Sequence, residues 1–392
     1  MKKHTLSTLI ALTLSSGYIS PINAAQHYFQ SRSDAMGGTG VASAHYLSAP
    51  LMNPALLSRF SHKDDLGLLL PTIGFQIADN DDTINGINRA SDLIDELNQY
   101  TSNSLQARMT ANQLANQLEM LDNATIPLQV GLAGVLAIPN QIVSFAVFSN
   151  TYLDLQVTTD INDSDITALK SPDPTAINDL VSTITLQGVG VTDVGLSLAS
   201  KFMLGNTPVY LGVSPKMQAI GFYQYTDSID DFDAGNLEED DNMNDEIAFN
   251  IDAGFVVEPS KHFTFGLVAK NMISQQVTNS AETLIYEIKP QVTTGFALHS
   301  AWFTAAIDID ITQSQSLSSQ GPSKYTRFGV EMDVWGWLQL RGGFRYDVNA
   351  NDSNQVTFGM GLSPFSTFHF DITGMLSEDD TFGLVAQTSF TF

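Results

Sequence analysis

The sequence contains no cysteine. That excludes disulfides, thiolate catalysis and cysteine-ligated metals. It also suits a chain that crosses an oxidising periplasm unfolded. Cations are scarce: 17 Lys and Arg stand against 42 Asp and Glu, for a formal net charge of −25. A chain this acidic repels a phosphate backbone, so nucleic acid is not an expected partner. Hydrolase signatures are missing too. There is no Gly-x-Ser-x-Gly elbow and no His-Glu-x-x-His, and the seven histidines are scattered. The expectation is a non-enzyme with no catalytic residue, no metal site and no cofactor.

Long apolar runs are also lacking. No stretch of about 18 apolar residues occurs, so a transmembrane helix is not expected. The first residues read as an address. Lys2 and Lys3 form a basic start, Leu6 to Leu14 a short apolar run, and Ile22-Asn23-Ala24 a cleavage point with small Ala24. Residues 1–24 are read as a Sec signal peptide.

What the chain does have is alternation with period two from Asp65 onward, the strand signal. Phe303, Ala305, Ile307, Ile309 and Ile311 share one face, against Thr304, Ala306, Asp308 and Asp310. In the next segment Phe328, Val330, Met332 and Val334 oppose Arg327, Gly329, Glu331 and Asp333. Fourteen such segments can be marked between Asp65 and Phe392. Their connections alternate between short turns, such as Gly205-Asn206 and Trp335-Gly336-Trp337, and long polar loops, the longest being 79–125. Short periplasmic turns and long external loops are the habit of outer-membrane barrels. Lipid cannot satisfy backbone N–H and C=O groups, so a spanning sheet must close on itself. The expected fold is therefore all-β, an antiparallel transmembrane barrel of about fourteen strands over 65–392. It would lie in the outer membrane of a Gram-negative bacterium, with outer-membrane lipid around it. The chain closes on Phe390 and Phe392 in an alternating strand, which resembles the signal read by the barrel-assembly machinery.

Loop 79–125 departs from this pattern. Ile87, Ala90, Leu93, Ile94 and Leu97 fall at helical spacing, as do Leu114, Leu118 and Leu121. Two amphipathic helices are expected there. They would either cover the barrel mouth, as a lid or a landing site for a protein partner, or pack on neighbouring loops.

Before the barrel lies Ser33-Asp34-Ala35-Met36-Gly37-Gly38-Thr39-Gly40, followed by Asn53-Pro54-Ala55. This segment resembles the FadL-type outer-membrane transporters, which carry a Gly- and Ala-rich stretch and then Asn-Pro-Ala ahead of fourteen strands. The chain is also similar to the barrel family labelled TraF. The resemblance implies that 25–64 fold into the lumen as a hatch, with Gly37, Gly38, Gly40, Asn53, Pro54 and Ala55 in the plug. An ordered periplasmic arm is the other reading.

The polar faces carry a charge cluster. Asp308 and Asp310 neighbour Arg327 and Glu331; Arg341 and Arg345 follow, then His369 and Asp371, with Glu287, Lys289, Lys216 and Lys270 further round. These residues are expected to face the lumen, either as a polar relay or headgroup site or as a salt-bridge ladder. Asp227 to Glu246 forms an acidic, self-repelling loop. Two functions follow as expectations. One is passage of a hydrophobic, fatty-acid-like ligand through a plugged lumen. The other is a structural role in conjugal transfer or surface secretion.

Overall fold

The computed structural model describes residues 22–23, 29–79, 82–100, 103–171, 180–230, 243–278, 285–317, 319, 321–365, 367–378 and 380–392. The expected leader falls outside these, apart from Ile22–Asn23, which form a short parallel strand against Ile285–Ile288. Most of the acidic loop Asp227 to Glu246 also lies outside them.

Fourteen antiparallel strands close into a barrel. They are β1 (Gly67–Ala78), β2 (Thr125–Ile138), β3 (Ser144–Asp160), β4 (Thr183–Leu204), β5 (Thr207–Ser228), β6 (Met243–Ser260) and β7 (Phe263–Lys270). Then come β8 (Gln291–His299), β9 (Phe303–Asp310), β10 (Tyr325–Asp333), β11 (Leu338–Asp347), β12 (Gln355–Leu362), β13 (Phe368–Ser377) and β14 (Thr381–Thr391). Closure is made by β14 on β1, where Phe390 pairs with Leu68 and Thr391 with Gly67. No edge is then left for lipid to meet. Each of the fourteen segments marked in the sequence corresponds to one of these strands.

The faces divide as the alternation requires. Ile247, Phe249, Phe344 and Phe358 are exposed, while Asp252, Asp308, Thr357 and Asp371 are buried. Such an apolar outer belt would be an aggregation surface on a soluble protein; on a barrel it is the face that meets hydrocarbon. Two tight turns need a left-handed residue, and Gly205 (φ 62°) and Gly336 (φ 75°) supply it. Trp335 and Trp337 stack 5.6 Å apart beside the second of these, as interfacial aromatics do.

The wall is taller on one side. Strands β4 and β5 have 22 residues each, β7 and β9 only eight. The loop helices α2 (Thr83–Asn98) and α3 (Leu105–Leu121) sit against the tall side with α4 (Asp163–Leu169). Ser104 accepts from Ala107 N–H at the start of α3 and Asn162 from Ser164 N–H at the start of α4, satisfying first-turn donors that the helix itself leaves open. Ile94, Leu114 and Leu118 bury themselves with Val157, Ile184 and Ile229. Strand register puts those last three on the outward-facing parity of the tall wall, opposite to Asp154, Val189 and Phe222. The helices thus pack on the outward side of the tall wall and on the segment that carries Ile161, Ile166 and Leu169.

Candidate functional site

Residues 29–58 run inside the barrel. A short helix α1 (Ser31–Ala35) is followed by 3-10 turns at Tyr46–Leu51 and Pro54–Ser58. Local chemistry sets the last turn: Asn53 Oδ1 accepts from Ala55 N–H at 3.1 Å, and Pro54 pre-sets the first turn. The same Asn53 side chain donates to Val41 O at 2.8 Å. One amide therefore ties the middle of the segment to its last turn.

The wall is cut to fit it. A Cβ on Gly212 would lie 2.3 Å from Ala55 N, and one on Gly254 would lie 2.0 Å from the Asn53 side chain. Gly266 and Gly295 receive Val41 in the same way; Gly329 and Gly343 receive Met36 and Gly37; Gly74 and Gly131 receive the ring of Phe29. These wall glycines come from eight different strands. Gly37 and Gly38 themselves hold positive φ, 71° and 87°, a backbone that L side chains rarely adopt.

The two halves of the segment are held differently. From Ala44 to Leu57 the contacts are apolar, with Tyr46, Leu51, Leu56 and Leu57 buried against Val135, Phe148, Tyr210 and Val256. From Gln30 to Val41 they are polar. Arg32 makes a bidentate pair with Glu331, both bonds 2.8 Å. Gly40 and Val41 N–H groups donate to Asp308 at 2.7 and 3.0 Å, and Gly37 N–H donates to Thr357 at 2.9 Å. The apolar half has a polar tie as well, Lys270 donating to Leu51 O at 2.6 Å.

Two chambers lie on either side. The outer one, about 740 Å³, is lined by Gly38, Val41, Gln129, Tyr152, Asp310, Tyr325, Arg327 and Arg345 among others. The inner one, about 370 Å³, is lined by Arg32, His45, His299, Arg341, His369 and Asp371 among others. The charge cluster expected on successive strands is thus split into two levels. In the upper level Arg327 pairs with Asp310 at 2.6 Å, and Arg327 and Arg345 both lie about 5 Å from the Tyr325 ring. In the lower level Glu331 bridges Arg32 and Arg341, and Arg341 reaches Asp371 at 2.6 Å. His369 bonds Ser363 and Thr391. Arg327–Asp310 and the Arg32–Glu331–Arg341–Asp371 chain form ion pairs, whereas Arg345 Nε and Asp308 Oδ1 are buried without a hydrogen-bond partner. Burial alone would make Arg32 easier to deprotonate, but Glu331 outweighs it and holds the guanidinium charged. The His45 ring opens on the inner chamber but is enclosed by the barrel. Burial, then Arg32 and His369, push it down to about 3.

One expectation needs correction. Glu287 and Lys289 do not line the barrel; they pair with each other at 2.9 Å in the β7–β8 connection. Lys270 lines the outer chamber. Lys216 is buried between Asp193 and Asp252, at 3.0 and 3.1 Å. Phe390 and Phe392 stack 6.3 Å apart at the end of β14, and Phe392 is exposed. Sequence reasoning missed Arg32 and Phe29. Arg32 is the lone cation in residues 25–58, and an excess of lumenal carboxylates is the signal that would have found it.

Solved structures share the architecture. The Pseudomonas putida toluene transporter TodX aligns with a TM-score of 0.53 at 12% identity, covering 93% of this chain and 99% of that one. The CymD monoaromatic hydrocarbon channel aligns with a TM-score of 0.51 at 10% identity, over 92% of this chain and 96% of that one. At such identities the likeness is one of fold alone. No curated protein matches the sequence. The family model described as "F plasmid transfer operon, TraF, protein" matches residues 50–310, more than half of the chain, which therefore belongs to that family.

Proposed function

We propose that this chain is an outer-membrane, non-catalytic barrel that passes a hydrophobic small molecule inward through a lumen plugged by residues 29–58. The observation that carries this reading is the seat of that segment between two chambers, fitted to wall glycines on eight strands. A plug so closely fitted implies a path that is otherwise closed. The chemical class is supported by neighbours of the same fold described as toluene and monoaromatic hydrocarbon channels. On this reading residues 1–24 are the Sec leader, 25–64 the hatch and 65–392 the barrel, assembled by the barrel-assembly machinery through Phe390 and Phe392. The test is uptake of radiolabelled naphthalene by intact cells with and without the chain, beside planar-bilayer conductance of a variant lacking Gln26 to Leu57. Faster uptake and a raised conductance are expected. Equal uptake would overturn the transport reading.

A second reading follows from the family description, a plasmid-transfer protein. Here a protein partner would dock on α3, whose Leu105, Met109 and Met120 are exposed. Loss of conjugal transfer on deletion of Thr83 to Leu121, with naphthalene uptake intact, would favour it.

A further inference from the structure

The outer chamber is lined largely by amides, hydroxyls and charges, a poor surface for a hydrophobic molecule. An apolar surface does exist in that half of the lumen. Val189, Val191, Ile220 and Phe222 on β4 and β5 form a buried cluster on the inward-facing parity. It is covered by the chain's own β7–β8 connection, where Gln275–Thr278 and Ile285–Ile288 pair as a hairpin. Val277, Tyr286 and Ile288 of that hairpin bury themselves against the wall cluster.

Three features mark this cover as displaceable. The hairpin's ladder belongs to a separate sheet from the barrel, so it can move without breaking the hydrogen bonds that close the wall. Its contact with the β4 and β5 cluster is apolar and non-directional, and Gln275 adds an amide hydrogen bond to Phe249 O at 3.1 Å. Tyr286 is 1% exposed, yet its hydroxyl is buried with no hydrogen-bond partner. Stranding a hydroxyl in this way costs stability. A ring without a hydroxyl has nothing to strand, so it competes well for the same place.

We infer that the inner face of β4 and β5 around Val189, Val191, Ile220 and Phe222 is a binding site for a small, ring-sized hydrocarbon, and that Tyr286 occupies it until the ligand displaces the hairpin. This rests on the transport reading and supplies its apolar surface. Val191 is the register partner of Tyr152, which lines the outer chamber, so the cluster lies beside that chamber in the outer half of the lumen.

The absence of cysteine makes the test clean. Val277→Cys is placed in the full-length protein in lipid nanodiscs and reacted with a polar maleimide, with and without naphthalene. Leu114→Cys, buried between the loop helices and away from both plug and hairpin, serves as the control, and heat-modifiable gel mobility confirms a folded barrel. Naphthalene is expected to speed labelling at Val277→Cys by about tenfold, as opening of a locally closed site would, and to leave Leu114→Cys unchanged. Adding Tyr286→Ala to Val277→Cys is expected to speed labelling without naphthalene. An unchanged Val277→Cys rate, in a protein whose cells take up naphthalene, would overturn the hairpin site and leave transport standing. No uptake at all would overturn both.

Discussion

Gly343 on β11 lies against Gly37 of the plug so closely that a Cβ on Gly343 would come within 2.0 Å of the Gly37 nitrogen. Two glycines far apart in sequence thus meet backbone to backbone, and neither tolerates a side chain. Gly343→Ala is expected to push the plug off the wall at a cost of about 1–3 kcal/mol, as over-packing does. Planar-bilayer recordings should show a leak that the wild-type barrel lacks. A silent trace indistinguishable from wild type would mean the plug shifts to accommodate the methyl.

Arg32 and Glu331 form the main ionic tie between plug and wall. Arg32→Ala should loosen the polar half of the plug by about 1–3 kcal/mol. That is less than a fully buried pair would lose, because both side chains keep some contact with chamber water. Conductance should rise in Arg32→Ala and in Glu331→Gln, and the double variant should fall short of the sum. Strict additivity would show that the two residues act separately.

Lys216 is expected to matter for stability rather than passage. It sits fully buried between Asp193 and Asp252. Lys216→Met would leave two carboxylates confined without their cation, at a cost of about 3–5 kcal/mol. Urea unfolding in detergent should show the loss, and adding Asp193→Asn and Asp252→Asn should recover part of it. No recovery would place the damage in packing rather than charge.

His45 gives a pH dependence whose sign can be worked out. Its folded value is near 3 and its ordinary value 6.5. Between those pH values the unfolded chain binds a proton that the folded chain refuses. The contribution is therefore fully present above about pH 6.5 and is lost as pH falls toward 3. Urea midpoints measured from pH 7 down to 4 should fall more steeply in the wild type than in His45→Gln. Parallel curves would remove His45 from the account.

The barrel was legible in the sequence because side-chain direction in a strand repeats every two residues. Phe303 to Ile311 and Phe328 to Val334 declared their faces by alternation alone, and the turn residues marked where strands end. The loop helices were legible for the same reason at helical spacing, from Ile87 to Leu97. What period cannot say is which strands stand above others. The flanking seat of α2 and α3 depended on the extra height of β4 and β5, and on which face Ile184 and Ile229 present there.

The candidate site divides in the same way. Gly37, Gly38 and the Asn53-Pro54-Ala55 turn stood out locally, because left-handed backbone and capping are properties of a few adjacent residues. Asp308 and Glu331 were recognisable as lumenal, since alternation sets the direction in which a strand residue points. Their partners were not. Glu331 meets Arg32 across 299 positions of sequence. The wall glycines acquire a purpose only when residues 29–58 lie against them, and Tyr286 becomes a cover only when its hairpin folds back onto β4 and β5. By itself the sequence determined the strands, their faces and the local turns, which depend on neighbours along the chain. The tertiary structure alone decided the plug's partners, the two chambers and the covered apolar wall. Those depend on barrel closure and strand register, which bring together residues that no local period connects.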